Sequence, residues 1–98
     1  MALTSKQIIK TLNAHRKELA RYRIRRIGLF GSYLKGNAKR GSDIDFLVSF
    51  KAPTFDQYIE LKFYLEDLFG RKVDLVMEDA LKPALRHVKE EARYAEAG

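Results

Sequence analysis

Gly31-Ser32 is followed, after ten intervening residues, by Asp43-Ile44-Asp45. That spacing joins a turn able to cradle phosphate to two carboxylates on one strand. Side chains alternate along a strand, so Asp43 and Asp45 point the same way. The surrounding Ile44, Phe46, Leu47 and Val48 make the strand apolar. Two like charges held close together there repel each other and resist burial unless a cation sits between them. A hard divalent ion meets that need, and the pattern suits metal-dependent nucleotidyl transfer. Each half alone has an ordinary explanation: Ser32 as a helix N-cap, and the aspartates on the solvated face of an edge strand. The combination is rarer, arising by composition in roughly one chain in a thousand of this length.

A third carboxylate is expected from Asp74, which interrupts the apolar run from Val73 to Met77. A charge in such a run has to be accounted for. If a helix returns the chain so that this strand lies parallel to the Asp43-Asp45 strand, the crossover rule makes the two neighbours. Asp74 then completes a cluster of three carboxylates. The alternative is an aspartate at a strand end facing water. Glu66, Asp67, Glu78 and Asp79 fall at helix ends or turns, where solvation explains them.

The elements that must position these groups follow in short order. Thr4-x-x-Gln7 is a capping box, with Leu3 and Ile8 placed as a hydrophobic staple. It predicts a helix running to about Tyr22, with Ile8, Ile9, Leu12 and Leu19 on its apolar stripe. Strands are expected over Ile27 to Phe30 and Asp43 to Phe50. Thr54-x-x-Gln57 opens a second helix, Phe55 to Phe69, closed by Gly70. Val73 to Met77 is the third strand, and a last helix runs from near Pro83 towards Tyr94. The expected fold is α/β (α+β), in the order α-β-turn-β-α-β-α, with a small mixed sheet of about three strands and helices packed on it.

Ninety-eight residues suffice for one domain, here spanning 1–98, and leave no room for a separate substrate domain. A hydrophobic content of 46% argues for a folded core. The absence of cysteine excludes disulfides and thiolate metal sites. Neither a secretory leader pattern nor a run of membrane-spanning length is present, so a cytoplasmic chain with no membrane association is expected. The net charge of +6, with Arg21, Arg23, Arg25 and Arg26 bunched before the first strand, favours polyanions: a nucleoside triphosphate, RNA or an acidic protein surface. A solvated helix end accounts for the same residues equally well. His15 and His87 have no neighbour at metal-ligand spacing, and Tyr33 is the aromatic best placed beside the motif to stack a base.

From Ile27 onward the chain resembles the minimal nucleotidyltransferases of the DNA polymerase beta superfamily, whose motif is Gly-Ser-x10-Asp-x-Asp. Phe46-Leu47-Val48, Lys72 to Val76 and Ala80 to Arg86 also resemble that family. Two departures stand out: many relatives carry Arg where Lys35 stands, and Lys39-Arg40-Gly41 replaces a turn that is often acidic or proline-containing. The resemblance implies two Mg²⁺ ions, with ATP as substrate. Asp43 and Asp45 would bridge both ions, and Asp74 would hold the ion on the nucleophile side and accept the hydroxyl proton. Gly31, Ser32 and Lys35 would bind the triphosphate. Relatives of this size often serve as antitoxins of HEPN-domain toxins in type VII-like toxin-antitoxin pairs, some by moving AMP onto a tyrosine of the toxin. A protein adenylyltransferase with a HEPN partner is therefore expected. Neutralisation by binding alone and transfer to a small molecule are the alternatives.

Overall fold

A computed structural model describes residues 3–81 and 83–95. Lys82, within the Ala80 to Arg86 resemblance, lies outside the described residues, as do residues 1, 2 and 96–98 of the expected domain.

The N-terminal capping box forms as expected. The Gln7 backbone N–H donates to Thr4 Oγ1 at 3.1 Å, and the Thr4 N–H donates to Gln7 Oε1 at 2.9 Å. Helix α1 (Ser5–Ala14) buries Ile8 and Leu12. The helix does not continue unbroken to Tyr22. It breaks at His15, where the backbone leaves the helical region at φ −109° and ψ 20° while the ring Nδ1 lies 2.9 Å from the Thr11 carbonyl. A short helix α2 (Arg16–Ala20) follows and buries Leu19.

Strand β1 (Ile24–Phe30) begins three residues before the apolar run, because Arg25 and Arg26 are both exposed and hide the strand from its hydrophobic pattern. Its pairing with β2 (Ile44–Phe50) is antiparallel, with a register shift between Ile24 and Arg26. Between them lies the single turn α3 (Gly31–Lys35). Helix α4 (Phe55–Phe69) carries the chain over to β3 (Val73–Met77), which pairs parallel to β2. Thr54 Oγ1 accepts from the Gln57 N–H at 3.1 Å, but the reciprocal half of the expected box does not form and Gln57 Oε1 is buried without a hydrogen-bond partner among the described residues; Gly70 closes the helix in the left-handed conformation, as the sequence indicates.

The C-terminal segment departs from expectation. In place of one helix it forms two 3₁₀ turns (Glu78–Ala80 and Pro83–Leu85), a short helix α5 (His87–Glu91) and a strand β4 (Arg93–Tyr94). β4 pairs with β1, so the mixed sheet has four strands in the order β3-β2-β1-β4. The pairing of Tyr94 with Gly28 depends on the missing side chain: a Cβ on Gly28 would come within 2.8 Å of Tyr94 Cδ1.

Alternation gives the sheet two different faces. Ile27, Leu29, Ile44, Phe46, Val48, Phe50, Val73 and Leu75 cluster with Ile8, Leu12, Leu61 and Leu65 from the helices to form the core. The opposite face is laid out in rows by the strand register. Phe30, Asp45 and Asp74 form the first row, Gly28, Leu47 and Val76 the second, and Arg26 with Ser49 the third.

Glu78, the residue after β3, is 7% exposed. Its carboxylate accepts from Arg26 Nε at 3.1 Å and pairs with Nη2 at 2.8 Å, and it also accepts from the Tyr94 hydroxyl. The Arg26 guanidinium stacks 4.4 Å from the Tyr94 ring centroid. Solvation therefore does not explain Glu78: the residue clamps the C-terminal strand to β1 and β3, a tertiary arrangement with no local signature.

Burial and the bond to Glu78 push the Tyr94 hydroxyl up from 10.0 to about 12. A raised folded pKa stabilises the fold fully below the unfolded value, and the contribution fades as pH rises through the folded one. Chemical denaturation should show stability declining between pH 10 and 12, with a shallower decline in Tyr94→Phe. Arg26→Met leaves the Glu78 charge buried and should cost about 2 kcal/mol, discounted because Arg26 is half-exposed. Glu78→Gln should cost less, about 1 kcal/mol.

Candidate active site

Residues 44–45 and 73–74 pair across the β2–β3 ladder, with Ile44 opposite Val73 and Asp45 opposite Asp74. Paired residues on adjacent strands project to the same face, so Asp45 and Asp74 share the open face. Asp43 lies two residues ahead of Asp45, just before β2 begins. Asp43 and Asp74 are exposed and Asp45 is half-buried. Strand three is thus parallel to strand two, as the crossover argument requires, and it brings Asp74 beside the motif.

The three charges feel one another. Burial first, then the charges of Asp74 and Asp43, push the Asp45 carboxyl above the ordinary aspartate range, while a hydrogen bond from the Ser32 backbone pulls it back. Gly31 stands at φ 73°, a conformation most side chains avoid. A Cβ at that position would collide with the Asp45 carboxylate. The Gly31-Ser32 turn is therefore pressed against Asp45, and the Ser32 backbone is engaged with that carboxylate. Lys35 is exposed in the last turn of α3.

Two residues outside the motif support this row. Glu66 Oε2 accepts from the Val73 N–H at 3.1 Å, which fixes the start of β3 one residue before Asp74. The Tyr58 hydroxyl donates to the Leu75 carbonyl. Burial and then the Asp74 charge push that phenol up. Tyr58 reads from sequence as one more apolar helix position, and only its polar tip hints at another use. Tyr33 does not stack outward: it is 7% exposed and belongs to the core.

The donor set suits a hard cation: Asp45 and Asp74 share one face, Asp43 lies just ahead of the strand, and Asp45 is held at a cost that positive charge would relieve. Among the described residues no three acidic or histidine side chains converge tightly enough to share one ion as they stand.

The comparisons with known proteins agree with this geometry. The family model "Nucleotidyltransferase domain" matches residues 9–95. This chain belongs to that nucleotidyltransferase family. The protein adenylyltransferase MntA of Thermococcus cleftensis is 49% identical over 85 residues, covering 85% of this chain and 86% of its own. Among solved structures, a mutant MntA-HpeT toxin-antitoxin superposes with a TM-score of 0.70 at 26% identity, covering 98% of this chain and 75% of that one. A toxin-antitoxin with AMP-PNP gives 0.65 at 27% identity, covering 98% and 73%. Among the described residues, no helix of this nucleotidyltransferase is long and apolar enough to cross a membrane.

Two outcomes are expected. The raised Asp45 pKa makes the ionised carboxylate a burden on the fold: its contribution is favourable at acid pH, below the unfolded value of 3.8, and is lost as pH rises through the folded value. Asp45→Asn should therefore melt higher than the parent at pH 7, with the difference shrinking below about pH 4. Gly31→Ala should cost about 1–3 kcal/mol in denaturant unfolding, because it combines a strained φ with a clash against Asp45.

Proposed function

We propose that this nucleotidyltransferase is a protein adenylyltransferase: it moves AMP from ATP, with Mg²⁺, onto a tyrosine hydroxyl of a HEPN-domain toxin and so acts as its antitoxin. The observation that carries the reading is the register placing Asp45 opposite Asp74, with Asp43 two residues upstream. It is supported by the 49% identity to the adenylyltransferase MntA and by the likeness to toxin-antitoxin structures, one of them with AMP-PNP.

Asp43, Asp45 and Asp74 would hold the metal, which when bound supplies positive charge at the reacting phosphate and eases deprotonation of the attacking hydroxyl. Asp74, exposed at the edge of the row, is the carboxylate open to an incoming hydroxyl and its proton. The Gly31-Ser32 turn and the Ser32 hydroxyl are offered to the triphosphate, with Lys35 adding a point charge where Arg would add a bidentate fork. The described residues build this core, and the partner would supply the second wall around the acceptor. The reading places the protein in the cytoplasm, where ATP and such a toxin are found.

Three measurements test it. ATP should raise the melting temperature more with Mg²⁺ than with a chelator, and equal melting under both conditions would count against the site. Labelled ATP should transfer its label to a purified HEPN toxin, and Asp43→Asn or Asp45→Asn should lower that rate about a hundred- to thousandfold. Asp74→Asn should lose turnover while keeping triphosphate affinity, as when an interaction matters mainly in the transition state. A toxin silenced equally well by the Asn variants would instead make this chain a binding-only antitoxin.

A further inference from the structure

β3 ends the sheet, with β2 on one side and, among the described residues, no strand on the other. The Ile44 N–H donates to the Lys72 carbonyl at 3.0 Å, so Lys72 turns its main-chain groups toward β2. In a parallel ladder both groups of a residue point to one side, and the side alternates along the strand. Alternation then sends the main-chain groups of Asp74 to β2 and those of Val73 and Leu75 outward, where an end strand lacks a ladder to meet them.

Both sides of Asp74 are nonetheless bonded. The outward Val73 N–H donates to Glu66 Oε2 at 3.1 Å, and the outward Leu75 carbonyl accepts from the Tyr58 hydroxyl. Both partners come from α4, where Tyr58, Leu61, Leu65 and Glu66 follow the i, i+3, i+7, i+8 spacing of one helical face. The two leucines of that face are fully buried and cluster with Val73 and Leu75. Core packing therefore sets the helix against this strand, and Tyr58 and Glu66 reach its edge from a fixed base. The exposed residue at the centre of the bracket is Asp74.

We propose that Tyr58 and Glu66 are positioning residues for Asp74: with two side-chain bonds, α4 supplies the second ladder that an end strand lacks and holds the Asp74 carboxylate level with Asp45 for the transfer step. Protection of the edge alone would be served by a charge or a proline anywhere along it, whereas both bonds here fall on the residues flanking Asp74. The restraint has work to do at that height. Asp45 lies directly opposite Asp74 in the ladder, and like charges so paired push the strands apart. A displacement of about 1 Å in such a group is enough to slow a reaction severely.

The use made of Asp74 rests on the proposed adenylylating function, whereas the bracket itself is read without catalysis. The test therefore has two arms: amide hydrogen exchange of the chain alone, without metal or nucleotide, and single-turnover AMP transfer from ATP and Mg²⁺ to a purified HEPN toxin. In Glu66→Met the Val73 and Asp74 amides should exchange roughly tenfold faster than in the parent, as for the loss of one hydrogen bond. Tyr58→Phe and Glu66→Met should each slow transfer about tenfold, with the ATP concentration for half-maximal rate unchanged. Glu66→Gln, whose side-chain oxygen still accepts, should recover most of both losses.

Parental transfer rates in both Tyr58→Phe and Glu66→Met would overturn the proposal, as would a fall in ATP affinity as large as the fall in rate. A loss in Glu66→Gln equal to that in Glu66→Met would also overturn it, because the charge and not the hydrogen bond would then matter. A parent that transfers no AMP removes the adenylylating function. The bracket is then decided by exchange alone, and unchanged Val73 and Asp74 amides in Glu66→Met would remove it too.

Discussion

The parallel pairing of β2 with β3 is the constraint on which the site depends. It sets Asp45 beside Asp74, where burial first and then the Asp74 charge push the Asp45 carboxyl above the ordinary aspartate range. A fold would not gain stability from such an arrangement. It is tolerated because the other face of the same two strands buries Ile44, Phe46, Val48, Val73 and Leu75 against the helices. Apolar burial on one face thus holds in place an unfavourable electrostatic contact on the other. Strained features of this kind are where function is to be sought.

The supporting contacts around the row divide the same task. Gly31 lets the backbone press against Asp45 where any Cβ would collide, so the phosphate-side turn and the carboxylates occupy one small volume. Glu66 secures the first amide of β3, and with it the height of Asp74 along the strand. Two rows further along, the buried Glu78 gathers Arg26 and Tyr94, tying the C-terminal strand to the sheet. Asp43 and Asp74 stay open to solvent and Asp45 is half-buried, while the groups that fix the strands beneath them are bonded and partly or wholly buried.

Much of the fold was legible because its signals are local. The Thr4-Gln7 box, the Thr54 cap with Gly70 closing α4, and the apolar run of β3 each depend on residues a few positions apart, and the structure repeats them closely. The Asp-x-Asp spacing and the lone charge in Val73 to Met77 were legible for the same reason, since alternation along a strand sorts side chains by face. The chain's membership of the nucleotidyltransferase family follows from that short motif and its flanks.

Where sequence reading failed, the deciding partner was distant or unpatterned. Arg25 and Arg26 masked the start of β1, because a strand near a sheet edge needs no apolar alternation. The first helix breaks at His15, where the backbone turns to φ −109° and ψ 20°, a departure that helical periodicity does not encode. β4 and the burial of Glu78 required Tyr94, Arg26 and Gly28 to meet, residues separated by up to most of the chain. Local chemistry in the sequence determined which groups would carry charge and which elements would present them. Only the tertiary structure decided which charges were paired, because pairing depends on strand order and register, which non-local packing sets.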